Sequence, residues 1–244
     1  EAAPVRLADD GRPLGGVEVR IGSANDPAEC CLSGAHLFLG YTAPEDDASA
    51  FAGESIVIPN GVDVEKYAPT ELPAAPEIVF TASMHYVPNI GGAAWFCREV
   101  LPRVRAEVPD VTLTLAGRRP VDEVRALESH DGVRVLADVP DMAPVLSAAR
   151  VAVVPLRIGS GTRLKALEAL SAGRPLVGTS IGLEGLGLTD SVNAVIADDA
   201  TTFAAGVVRV LRDDAFARSL VAAGRAHAET FSWDLIADDF ATRL

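Results

Sequence analysis

The sequence predicts an α/β protein built on a doubly wound parallel sheet of Rossmann-like size. Two observations carry that prediction. From Glu77 onward, short apolar, β-rich runs alternate with longer stretches of helical character. The apolar runs are also continuous, without the polar alternation of a one-sided sheet, as strands buried on both faces of a parallel sheet require. Strand–helix–strand repetition then gives right-handed crossovers with helices on both faces.

Strands are expected at residues 78–80, 111–115, 133–136, 151–154, 176–177 and 194–196. That is about six strands, the size of a Rossmann-like sheet. Helices are expected at 92–108, 120–129, 140–149, 162–172 and 201–211. The punctuation agrees: Gly117 and Pro155 each end a strand, and Gly173 sits where a helix C-cap belongs. Asp198-Asp199 suits a helix start, where carboxylates favour the dipole. Residues 213–244 read as two helices broken at Phe231-Ser232-Trp233-Asp234, with Ser232 as N-cap and Trp233 as an anchor. Trp95, Phe96, Leu101 and Val104 recur at helical spacing and are expected in the core, with Cys97 packed beside them.

Residues 1–54 differ. Gly, Pro and Asp punctuate them, and they are too short for a second full domain. The turn Pro59-Asn60-Gly61 separates them from the remainder of the chain.

Composition narrows the function. The chain has 244 residues, 49% of them hydrophobic, so a sizeable core is available. The 34 acidic and 21 basic residues give a formal charge of −13. That argues against a nucleic-acid partner, which needs a basic surface to release counterions. No apolar run is long enough to cross a bilayer, and the N-terminal residues lack a signal-peptide pattern. The expectation is a soluble, cytoplasmic protein without a transmembrane segment. Three cysteines, two of them adjacent, make a poor disulfide framework, and no cluster has zinc spacing.

The segment richest in chemistry is Gly159-Ser160-Gly161-Thr162-Arg163-Leu164-Lys165-Ala166-Leu167-Glu168. It starts just beyond an apolar strand, passes a glycine-rich turn and enters a helix. Open α/β sheets bind ligands at the carboxyl ends of their strands. A glycine-rich turn lets backbone N–H groups approach an anion, and the helix N-terminus adds positive potential. Arg163 and Lys165 fall in the expected first helical turn, where positive charge opposes the dipole; an anionic ligand would offset it. Lys165 and Glu168 share a helix face. One site could thus offer cations to phosphates and a carboxylate to sugar hydroxyls. The alternative is a surface ion pair between these two residues. The turn lacks Gly-Lys-Ser/Thr, so it is not a P-loop, and lacks the third glycine of a dinucleotide fingerprint.

These motifs, in this order, resemble the family 4 glycosyltransferases. Ile58-Pro59-Asn60-Gly61-Val62-Asp63 looks like the signature between their two domains. Residues 80–89, then Trp95-Phe96, Glu99-Val100-Leu101-Pro102, Leu115-Ala116-Gly117 and Asp141 continue in family order. So do the Gly-Ser-Gly-Thr-Arg-Leu-Lys segment with Glu168-Ala169, Ala172-Gly173-Arg174-Pro175, Glu184-Gly185-Leu186 and Phe231-Ser232-Trp233. The pattern is most similar to the exopolysaccharide-type sugar transferases.

The resemblance implies a GT-B fold, whose C-terminal domain holds a UDP- or GDP-linked sugar and passes the sugar to a sugar or lipid-linked acceptor. It implies retention of anomeric configuration and no metal or other cofactor. Glu168 would bind the ribose, and the backbone of Gly159, Ser160, Gly161 and Thr162 the diphosphate. Arg163 and Lys165 would be the catalytic cations. Leu136, Ala137 and Asp138 would line the base, and His85 and Asn89 the sugar or phosphates. Residues 55–244 would form this C-terminal domain, and residues 1–54 a truncated or reduced acceptor-side segment.

The sequence departs from the family pattern at two places. Ser160 stands where the family often has the first of two glutamates, Glu168 being the second. Met84, His85 and Asn89 occupy the loop that usually carries a basic pair. Two other functions stay open: a nucleotide-sugar epimerase of the same architecture, and a non-catalytic nucleotide-sugar-binding module.

Overall fold

The computed structural model describes residues 60–159 and 163–243. The expected acceptor-side segment, residues 1–54, and the loop residues Ser160, Gly161 and Thr162 lie outside the described residues. A six-stranded sheet runs in the order β3-β2-β1-β4-β5-β6. The strands are β1 (Glu77–Thr81), β2 (Thr112–Gly117), β3 (Val133–Ala137), β4 (Val151–Val154), β5 (Leu176–Gly178) and β6 (Val195–Ile196). Every pairing is parallel. Each expected strand is present, within a residue or two of its expected bounds.

Burial explains the pattern. All four residues of β4 and the last four of β1 are buried, because these central strands are covered on both faces. The edge strand β3 is only partly covered, and its charged Arg134 is exposed. The chain turns outward in opposite directions from β1 and β4. Their carboxyl ends therefore flank the topological switch point, where a crevice opens beyond the sheet.

After β1, helix α1 (Val87–Trp95) passes through a π-helical turn (Phe96–Val100) into α2 (Leu101–Glu107). Pro102 explains the wide turn. Its ring nitrogen has no N–H to give the carbonyl one α-turn back, and the Leu101 N–H reaches back to Phe96 O instead. The expected core holds for Phe96, Cys97, Leu101 and Val104, all nearly inaccessible. Burial pushes the Cys97 thiol up to about 12, consistent with packing rather than reactivity. Trp95 is only half-buried: one edge meets Phe203 at 5.6 Å, while Arg157 lies 5.6 Å from its ring centroid.

The remaining helices are α3 (Asp122–Arg125), α4 (Ala143–Ala148), α5 (Leu164–Ser171), α6 (Ala200–Arg212), α7 (Asp214–Glu229) and α8 (Trp233–Arg243). Asp199 caps α6 by accepting from the N–H groups of Thr201 and Thr202 at 2.9 and 3.0 Å. Ser232 caps α8 through the Leu235 N–H. Trp233 lies so close to Gly61 that a Cβ there would sit 2.6 Å from the indole, so the terminal helix is anchored on the start of the described chain.

Arg174 is fully buried, and its partners among the described residues are neutral. Its guanidinium donates to the carbonyls of Ala149, Thr70, Glu71 and Ala172, and burial lowers its pKa to about 10. It ties the segment before β1 to the amino end of β4.

Candidate functional site

The carboxyl ends of β1 and β4 bring together two of the expected site residues. Lys165 is the second residue of α5, and its Nζ donates to Asn89 Oδ1 at 2.6 Å. Asn89 lies in the first turn of α1 and is 4% exposed. Its Nδ2 donates to Ser83 O at 2.9 Å, which fixes the amide so that its oxygen faces Lys165. The ammonium also lies 5.4 Å from the Phe80 ring centroid. Burial, and then repulsion from Arg163, lowers the Lys165 pKa to about 8, against attraction from Glu168. Asn89, expected to face the ligand, is thus a buried brace for the lysine.

Glu168 lies one turn further along α5 and is half-buried. Its Oε1 accepts from the Tyr67 hydroxyl at 3.1 Å. Burial raises its pKa, opposed by the Tyr67 hydrogen bond and by Lys66 and Lys165. The expected alternative of a surface ion pair does not form: Lys165 bonds Asn89 and Glu168 bonds Tyr67.

Arg163 is the N-cap residue of α5 and lies outside its first turn, because the helix starts two residues later than expected. It is 4% exposed. Its Nε donates to Ile181 O at 2.9 Å, and its Nη2 to Gly159 O at 3.0 Å and Glu184 Oε2 at 3.4 Å. The side chain therefore braces the start of the glycine turn against the segment after β5. Gly159 has φ +121°, a conformation that side chains other than glycine's rarely permit.

The other expected residues sit across the neighbouring strand ends. Leu136 is half-buried, and Ala137 and Asp138 are exposed at the end of β3. Asp138 Oδ1 accepts from the Arg119 N–H at 2.8 Å, and both residues adopt left-handed backbone, with φ of 51° and 48°. Such conformations are costly outside glycine and gather at functional sites. Arg119 Nη2 lies 2.8 Å from Nε2 of the exposed His85. Arginine can only donate, so this ring nitrogen is the acceptor.

Sequence reasoning missed Arg119 and Tyr67. Arg118-Arg119 directly follows Gly117 at a central strand's carboxyl end, a signal that could have marked Arg119. Tyr67 lies 101 residues from Glu168, and no local pattern links them. Among the described residues, no group of three or more His, Cys, Asp or Glu could hold a metal, and no helix is long and apolar enough to cross a membrane.

The parallel sheet with its flanking helices has the Rossmann-like architecture of a GT-B glycosyltransferase domain. Residues 75–213 match the family described as Glycosyl transferases group 1, and the chain belongs to it. The phosphatidyl-myo-inositol mannosyltransferase of Mycolicibacterium smegmatis is 28% identical over 199 residues, covering 77% of this chain and 50% of the relative. An uncharacterized 44.6 kDa protein in the cps region of Klebsiella pneumoniae is 29% identical over 139 residues, 54% of this chain and 36% of that protein. The chain thus spans half or less of the length of these curated relatives. Sucrose-phosphate synthase from Thermosynechococcus elongatus shares the fold with a TM-score of 0.65 at 24% identity, over 83% of this chain and 56% of that one. So does Anabaena HepE, solved in complex with UDP and glucose, with a TM-score of 0.64 at 16% identity over 83% and 61%.

Proposed function

We propose that this domain holds the nucleotide-diphosphate-sugar donor, UDP- or GDP-linked, of a retaining, metal-independent glycosyltransferase acting in polysaccharide or glycoconjugate synthesis. The acceptor is a sugar or a lipid-linked sugar, and we place the reaction in the cytoplasm. The observation that carries the reading is the placement of Lys165 and Glu168 on one face of α5 at the switch point, without pairing to each other. The UDP complex of Anabaena HepE, which shares the fold, supports a nucleotide at such a sheet.

On this reading the diphosphate lies against the glycine turn and the α5 N-terminus, within reach of Lys165. Arg163 braces Gly159 through its carbonyl, a narrower role than direct contact. Glu168 receives the ribose diol, and the strand ends at Leu136–Asp138 receive the base. When the bond from the anomeric carbon to the β-phosphate oxygen breaks, its electron pair stays on the diphosphate. A preorganised cation at that point stabilises the transition state more than the ground state. Residues 55–244 form the donor-binding half, and residues 1–54 belong to the acceptor-side half.

Calorimetry with UDP and GDP tests the reading. The protein is expected to bind at least one of them. Glu168→Ala removes a charged acceptor worth about 1.5–3 kcal/mol, so Kd should rise roughly 10- to 150-fold. Failure of the unaltered protein to bind either nucleotide overturns the proposal. Ser160 favours a second reading, a donor-binding module without turnover. Binding without donor hydrolysis or transfer by the full-length protein would select it.

A further inference from the structure

Tyr67 is held along α5 at two points. Its backbone carbonyl accepts from Ser171 Oγ at 3.0 Å and from Arg225 Nη1 at 3.1 Å. Its hydroxyl donates to Glu168 Oε1 at 3.1 Å. Glu168 and Ser171 are three residues apart on α5 and so lie on one face. The tyrosine spans that interval from a different part of the chain. Its own turn is fixed locally: Asp63 Oδ1 accepts from the Lys66 N–H at 2.8 Å, and the Tyr67 N–H donates to Asp63 O at 3.1 Å. Tyr67 as a whole is 7% exposed. Among the described residues, the hydrogen bonds of the Glu168 carboxylate involve Oε1, and no protein group bonds Oε2.

A half-buried carboxylate on a flexible side chain loses rotamer freedom when it grips a diol. A donor already fixed on one oxygen removes part of that cost and leaves the second oxygen to accept. We propose that Tyr67 is a positioning residue for the ribose-binding carboxylate, its hydroxyl holding Glu168 Oε1 so that Oε2 is presented to the nucleotide's ribose hydroxyls. The inference rests on the donor reading and deepens it. It also gives the Asn60-Gly61-Val62-Asp63 motif a purpose: the turn it forms delivers Tyr67 to α5.

The charged and titratable groups facing Glu168 are Tyr67, Lys66 and Lys165. The Tyr67 hydroxyl favours the ionised carboxyl against the effect of burial. Deleting that hydroxyl therefore shifts the acid limb of nucleotide binding to higher pH.

Tyr67→Phe isolates the hydroxyl, since the backbone grip of Ser171 and Arg225 does not depend on it. The experiment is calorimetry with UDP and GDP and with their 2′-deoxy counterparts, on the unaltered protein, Tyr67→Phe, Glu168→Ala and the double variant. Thermal melts on the same samples confirm that each is folded. Tyr67→Phe should weaken ribonucleotide binding about 3- to 10-fold. It should have a smaller effect on the 2′-deoxy ligands and little further effect in the Glu168→Ala background. Equal losses for both ligand types, or full losses in the Glu168→Ala background, would mean that Tyr67 only supports the fold, and overturn the inference. Unchanged ribonucleotide affinity in Tyr67→Phe would overturn it too, while leaving the donor site intact. If the unaltered protein binds neither nucleotide, the donor reading itself falls, and this inference with it.

Discussion

Replacing Lys165 with alanine is expected to lower kcat/KM for the nucleotide-sugar donor by on the order of 10²-fold, the usual cost of removing one charged or oriented donor at a developing anion. The effect is large because the lysine is preorganised. Asn89 holds its Nζ at 2.6 Å and is itself locked on Ser83 O, so little reorganisation remains for the reacting complex. An Asn89→Ala variant should lose part of the same rate, because the charge remains but its aim is relaxed. A pH series checks the electrostatics. Burial leaves Lys165 at about 8, below its ordinary 10.5. It therefore loses its proton as pH rises through about 8, and diphosphate affinity should fall over that range. A bound anion favours the charged form and moves the transition upward. The stability effect has the opposite sign. Between about 8 and 10.5 the unfolded chain carries the Lys165 proton and the folded chain does not, so the folded state gains as pH rises. The melting temperature of the unaltered protein should thus rise relative to Lys165→Ala across that window, while nucleotide binding weakens. Unchanged donor kcat/KM in Lys165→Ala would remove the lysine from the mechanism.

The fold was legible because its signals are local. Continuous apolar runs give β1 to β6 directly, and Asp199 and Ser232 cap the helices that their residue types suggest. The start of α1 was misjudged for a physical reason. Gly91-Gly92 reads as a helix boundary, yet both lie inside α1, which begins at Val87. A Cβ at Gly92 would sit 2.8 Å from Pro155 O, so this glycine answers to close packing of the helix on the end of β4. The candidate site rests on local signals only in part. The glycine turn and the Lys165–Glu168 spacing lie within ten residues of sequence. The partners that decide what those side chains do come from elsewhere. Asn89, 76 residues away from Lys165, and Tyr67, 101 residues from Glu168, meet α5 only through the fold. Arg163 shows the converse. Its position beside the turn suggests a ligand-facing cation, but the chain supplies carbonyl acceptors at Gly159 and Ile181 that a linear pattern does not reveal.

Gly117→Ala is expected to destabilise the domain by about 3 kcal/mol or more, at the upper end of overpacking costs. For a protein of this size that lowers the melting temperature by roughly 6–12 °C. The added Cβ would sit 1.6 Å from Ala82 O, a backbone atom that cannot turn aside as a side chain can. Relief requires parting β1 from β2 just where Thr81 pairs with Ala116 and the Ala82 N–H donates to Ala116 O at 2.9 Å. The same shift would disturb Asp138, whose N–H donates to Gly117 O at 2.8 Å, and through it the left-handed turn at Arg119. Losses in stability and in nucleotide affinity should therefore appear together. Gly91→Ala is the matched control. Among the described residues, nothing outside its chain neighbours and its own helix backbone lies within 4 Å of its would-be Cβ, so alanine should stabilise this helix position by about 0.5–1 kcal/mol. Thermal melts of the two variants separate a glycine required by strand contact from one that only weakens its helix. Similar melting temperatures for both would mean that the β1 and β2 ends are not in contact at Ala82 and Gly117, and the crevice they shape would need a different description.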